Sequence, residues 1–279
     1  MSRCTFYASP VPEPRPRRCC CCTDGRPRSQ RSAVISRLAH PETAGGDPED
    51  GLTVVVPSLP GYGFSPPASA PIGVRSAGHL FHRLLTEVLG EARYYVHGGD
   101  QGAPIAEWMA FDHPDHCSGL HTTLLGVRHE GAPLGSGLTG VEDPTADEIL
   151  FVQREHNLNT GPLGAYFLLQ ATAPLTLAPA LADSPAGFAA WVLEKFHLWS
   201  DQNGTSDGPA LTLDDIITEI MIYLVSDSVA SSLVAYAEFL SDPITLPPAA
   251  SSRWPPRSRP SPTRGSRLRR PASSHVHAT

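Results

Sequence analysis

The chain is predicted to be an α/β protein built on a mostly parallel sheet with a helical lid, and three features of its sequence point there. An apolar, β-branched run from Leu52 to Leu59 is bounded by turn residues, as strands buried on both faces are. From that run to about residue 126, strand-like and helix-like segments alternate, which implies right-handed crossovers and parallel neighbours. From 127 to 241 the pattern changes to helices without obvious strands, an insertion expected to cover the carboxyl edge of the sheet, where ligands bind in such architectures. With 279 residues, 41% of them hydrophobic, the chain can bury the core of one large α/β domain or two small ones.

In order along the chain, residues 1–32 alternate Pro, Arg, Cys and Ser with neither helical nor strand period and are expected to be disordered or out of frame. The core region, 33–126, opens with a short helix in "AVISRLAHP", a loop in "GGDPEDG" and the strand "LTVVVPSL". The loop "PGYGFSPPASAP" leads to "SAGHLFHRLLTEVLGE", whose apolar residues fall at i, i+3, i+4 and i+7 and which stops at Gly90. "RYYVH" is the next strand, "APIAEWMAFDHP" the next helix and "GLHTTLL" a further strand. The lid, 127–248, carries "GAYFLLQATAPLTLAPAL", "PAGFAAWVLEKFHLW" and "LDDIITEIMIYLVSDSVASSLVAYAEFL" as helices. Residues 249–279 return to Arg, Pro and Ser without period, a disordered basic tail.

The net charge of −7 hides a segregation. Residues 1–37 hold eight Arg against two acids and 253–270 seven Arg against none, while 38–250 carry six basic side chains against 26 acids. The basic ends lack interleaved aromatics and a folded reading element, so nucleic-acid binding is not expected. No run of 18 apolar residues occurs and the first thirty residues contain no apolar signal core, so the expectation is a cytoplasmic protein without a membrane anchor. Cys19 to Cys22 are adjacent, a spacing that suits neither a zinc knuckle nor a disulfide framework, and Cys117 reads as a small buried residue; no metal and no cofactor are expected.

Chemistry concentrates in "YYVHGGDQGAPIAEW", Tyr94 to Trp108. Gly98-Gly99-Asp100-Gln101-Gly102 has the form small-x-nucleophile-x-small. A nucleophile on a sharp strand-to-helix turn needs such small neighbours, because larger ones collide with adjacent strands and the helix start. By itself an Asp between glycines is equally an N-cap residue. His97 and His121, at strand ends beside the turn, read as hydrogen-bonded structural histidines rather than bases, and Trp108, Trp191, Trp199 and Tyr223 as packing.

The segments "VVVPSLPGYGFS", "GGDQGAPIA", "ATAPLTLAPALADSPAGFAAWVLEKF" and "YAEFL", in this order from about residue 33 to 248, resemble the microsomal and juvenile-hormone branch of the epoxide hydrolases, a group of α/β-hydrolases. The resemblance implies that Asp100 attacks an epoxide carbon to give an alkyl ester, which water cleaves to a diol. It implies that the lid tyrosines Tyr166 and Tyr236 protonate the departing ring oxygen, and that the backbone of Gln101 helps hold an oxyanion. Partners would be a small epoxide and water, and the role would be detoxification. The family's general-base histidine and its acid are not found: no Gly-Gly-His-Phe motif follows Asp242, and His275 and His277 lack its glycines. The family's His-Gly-x-Pro loop is absent too, so the chain is expected to lack the first and last strands of the sheet and to be poorly stable through unpaired edges. A haloalkane-dehalogenase-like hydrolase, which would want halide-binding Trp or Asn donors in place of the tyrosines, and a non-catalytic remnant stay open as alternatives.

One reading of the leading segment is checkable at once. The codons CGC CGC TGC TGC TGC TGC ACG GAC GGN spell Arg17 to Gly25, and shifted one nucleotide earlier the same bases encode Pro-Leu-Leu-Leu-Leu-His-Gly-Arg, a buried strand followed by the missing loop. If the leading segment, and similarly the tail from about 250, is translated out of frame, the coding DNA has TGC at most of Cys19 to Cys22; other cysteine codons there refute the idea.

Overall fold

In the computed structural model the residues described are 6–9, 19–23, 28–67, 72–123, 164–199 and 212–237, with short pieces between 145 and 161. The apolar run forms strand β3 (Thr53–Pro57), with Val54 and Val55 almost fully buried on its two faces. Helix α1 (Arg28–Ala39) lies on the Val54 face, where Ile35, Leu38 and Ala39 pack with Val54 and Val56. Helices α2 (Val74–Arg83) and α3 (Gly102–Asp112) cover the Val55 face. The two-residue strand period thus sorts one short run between two helical layers.

The sheet has five strands among the described residues, in the order β1-β3-β2-β4-β5, where β1 is Phe6–Ser9, β2 Cys19–Thr23, β4 Tyr94–Gly98 and β5 Cys117–Thr122. β1 runs antiparallel to β3, and the other pairings are parallel. Within residues 1–32, read from sequence as disordered or out of frame, the described residues supply strands β1 and β2, and α1 begins at Arg28 rather than Ala33. β2 separates β3 from β4, pairing Cys20 with Val54 on one side and with Tyr95 on the other. Composition missed it because a central parallel strand needs only extended backbone with donors and acceptors on both edges, and a cysteine run carries no period. The sheet consequently does not lack all of its early strands. The proposed tail and the expected loss of the last strands lie outside the described residues.

Helix α2 follows the predicted spacing, with Val74, Ala77, Gly78 and Phe81 buried, and passes through a π-turn at Leu84–Val88 to stop at Gly90, whose φ is +73°. Helix α3 is buried from Gly102 to Ala110. The lid's first segment is two helices, α4 (Ala165–Thr172) and α5 (Pro174–Asp183), because Pro174 cannot donate an amide back and the axis turns by 102° there. Helix α6 (Pro185–Trp199) follows. The last segment also divides, into α7 (Leu213–Val225), opened by a Thr212–Asp215 capping box, and α8 (Val229–Val234), with Asp227 at φ +53° between them. Ala178, Leu181, Phe188, Ile220, Val229 and Leu233 form the lid's own core. No single described helix is long and apolar enough to cross a membrane.

At the end of the sheet away from Gly98, four histidines meet. His82 stacks on His113 with ring centroids 3.5 Å apart, His79 Nδ1 lies 3.0 Å from His113 Nε2, and His116 lies edge-on to His82. Burial, then the neighbouring His113, His116 and His79, push His82 down to about 4 from its ordinary 6.5, and His113 shifts the same way. Because the folded state disfavours these protons, their contribution is fully present above about pH 6.5 and is lost as pH falls toward 4. The expected result is a melting temperature that declines across that interval, and less steeply in His82→Gln; equal slopes for the two proteins would refute it.

Candidate active site at the β4–α3 turn

Asp100 stands between the end of β4 and the start of α3, exposed, with φ +47°. This left-handed conformation is tolerated by Asp but strained for most side chains. The turn is tied by the Gly102 amide donating to the Gly99 carbonyl at 2.8 Å and the Ala103 amide to the Asp100 carbonyl at 3.0 Å. A Cβ at position 98 would lie 2.0 Å from the Gly102 carbonyl oxygen and 2.4 Å from its carbon, so only glycine fits. The helix N-cap is Gln101, which makes no side-chain cap bond. Asp100 thus sits one residue outside the N-cap position that the bland reading gave it. Behind the carboxylate, the N-terminus of α3 supplies partial positive charge.

The lid brings its tyrosines to this turn. Tyr166 and Tyr236 meet edge to face with ring centroids 6.1 Å apart. Both phenols are raised above their ordinary pKa, first by burial and also by the negative charge of Asp100. Both therefore stay protonated at neutral pH within the field of one carboxylate. Tyr166 also packs against Trp199 at 5.0 Å and beneath Lys195 Nζ, 5.5 Å from the ring centre. Gln101 opens α3, where first-turn amides converge.

Two residues that the sequence reading did not place in the site belong to the same cluster. Burial drives the phenol of Tyr62, in the loop after β3, strongly upward, with Tyr223 and Asp100 adding to the shift, and its hydroxyl donates to the Ser232 carbonyl. The available signal was a tyrosine between two glycines in the loop leaving a strand's carboxyl end. Tyr223, read as packing, does pack, edge-on to Tyr62 at 6.4 Å and against Phe188 at 5.5 Å. His97 and His121 face each other across β4 and β5, Nδ1 to Nδ1 at 2.8 Å. A small cavity beside the turn is lined by Leu59, Ile72, Val74, Ala77, Ile105 and Gln101. Among the described residues no group of three His, Cys, Asp or Glu could hold a metal ion.

Residues 31–130 match the sequence family of the alpha/beta hydrolase fold. The structure aligns with a juvenile hormone epoxide hydrolase from the silkworm Bombyx mori at a TM-score of 0.61 and 28% identity, over 84% of this chain and 55% of that one. The chain has the α/β-hydrolase fold. Within it, the sequence relatives are epoxide hydrolases. Epoxide hydrolase 1 of Oryctolagus cuniculus is 35% identical over 74% of this chain and 48% of its own length. Juvenile hormone epoxide hydrolase 1 of Ctenocephalides felis is 35% identical over 66% of this chain and 42% of its own length. The chain thus spans less than half the length of these relatives.

The α/β-hydrolase turn makes a sharp stability prediction. Gly98→Ala forces the turn apart against backbone atoms that cannot yield, so it should cost about 3 kcal/mol or more, read by urea unfolding. An alanine variant as stable as the parent would refute the close approach.

Proposed function

We propose that the chain opens epoxides of bulky or aromatic compounds through an ester on Asp100. A carboxylate oxygen of Asp100 forms a bond to an epoxide carbon while that carbon's bond to the ring oxygen breaks, and the oxygen takes a proton from a tyrosine hydroxyl. Water then cleaves the ester, returning the carboxylate and releasing a vicinal diol, and the phenolate regains its proton from water.

The observation that carries this reading is one carboxylate on a strained turn sharing its field with Tyr166 and Tyr236. Phenols held protonated suit the task, because the oxygen they must protonate is an emerging alkoxide, a stronger base still. The lid supplies the donors while the sheet supplies the nucleophile, so ring opening requires both layers in register. The apolar walls at Leu59, Ile72 and Ile105 favour an epoxide with a hydrophobic substituent.

The first step is expected to outrun the second, so that the ester on Asp100 accumulates to a detectable level. Incubation with styrene oxide should add the mass of one epoxide to the intact protein, and Asp100→Asn should abolish the addition. Replacing Tyr166 or Tyr236 with Phe should slow the addition roughly 100-fold, the usual scale of a lost general acid. Steady diol release with no trapped adduct would contradict the slow second step; no adduct and no diol would contradict the proposed function.

A further inference from the structure

The loop between β3 and α2 is fastened to the lid at three points. The Tyr62 hydroxyl donates to the Ser232 carbonyl at 3.0 Å, the Ser231 hydroxyl donates to the Gly61 carbonyl at 2.6 Å, and the Gly63 amide donates to the Ser228 hydroxyl at 3.2 Å. These bonds join residues about 170 positions apart in the chain. The loop is itself stiffened, by the Tyr62 amide on the Leu59 carbonyl, the Ser65 amide on the Tyr62 carbonyl, and the Ser65 hydroxyl on the Ser58 carbonyl. Gly61 and Gly63 hold φ of +83° and +53°, and a Cβ on Gly61 would press on the Ser231 side chain at 3.3 Å. Glycines on both sides let Tyr62 reach the helix.

The Tyr62 contact falls on a particular carbonyl. In a continuing α-helix the Ser232 oxygen would receive the amide four residues on, which is that of Tyr236. Instead the Tyr236 amide bonds the Leu233 carbonyl, three residues back, at 3.3 Å, and helix α8 ends at Val234. The Tyr62 hydroxyl thus meets the carbonyl that a regular helix would pair with the Tyr236 amide, at the break before helix resumes at Ala237. Chain connection, hydrogen bonding and helix termination meet at one oxygen.

We propose that Tyr62 is a positioning residue: by donating to the Ser232 carbonyl it holds the break after helix α8 and so sets the place of Tyr236 beside the turn that carries Asp100. Its chemical consequence rests on the epoxide-opening function proposed above, while its structural consequence does not.

The test is a double-mutant cycle on the full chain, Tyr62→Phe and Tyr236→Phe singly and together, with styrene oxide adduct formation timed by intact mass and amide exchange followed in parallel. Tyr62→Phe should slow alkylation about tenfold in the parent but less than twofold in the Tyr236→Phe background, as expected when one residue acts through the other. Exchange in residues 228–236 should quicken at least threefold, with strand β4 unchanged. Ser231→Ala, which keeps every aromatic ring, should quicken the same segment to a smaller degree. Equal slowing in both backgrounds, or none, would overturn the positioning role, and unchanged exchange in both variants would overturn the clasp. If the parent takes no adduct, the proposed function fails and the clasp stands or falls on exchange alone.

Discussion

Everything in the site depends on one close approach, that of Gly98 to the Gly102 carbonyl. Where a Cβ would come within 2.0 Å of an oxygen, the chain can pass from strand to helix in three residues and leave Asp100 projecting with φ +47°. The strain belongs to the turn, but the buried layers around it hold it in place: β4 is hemmed between β2 and β5, and α3 is covered almost along its length. A loose sheet could relax such a turn, whereas one flanked by paired strands cannot. The lid, in turn, has meaning only because that carboxylate has a fixed position to which tyrosines can be brought.

The lid reaches the turn by breaking its helices. Pro174 and the Ser226–Ser228 corner convert two apolar stretches into four short helices, three of which share with α6 the core at Leu181, Phe188, Ile220 and Leu233. Straight helices over the same residues would carry Tyr166 and Tyr236 far apart. Folded back, they bring the two rings to 6.1 Å, and Lys195 lies over the Tyr166 ring from the side. The cost is an apolar outer face on these helices, at Leu175, Leu213 and Val225 among others.

The glycine spacing around Asp100, the amphipathic period of α2 and the β-branched run of β3 were all legible in sequence, because each is a local steric or periodic requirement. The proximity of Tyr166 to Tyr236 was legible only through family resemblance, since seventy residues separate them and no local pattern records a lid's fold. Strand β2 was not legible: "CCCCT" has no alternation, and its evidence lies in the partners on either side. Both helix breaks were visible as Pro174 and "SDS", yet the strong apolar period across them masked their effect. Tyr62 escaped notice because its role is a hydrogen bond to a backbone carbonyl, which no side-chain motif encodes.

Placing the covalent adduct is the most direct test that the turn makes Asp100 the reacting group. After reaction with styrene oxide, digestion and peptide sequencing by mass spectrometry should find the added mass on a single residue, Asp100, in the peptide running from β4 into α3. Modification at His97, His121, Cys117 or any other nucleophile, with Asp100 unmodified, would contradict the account.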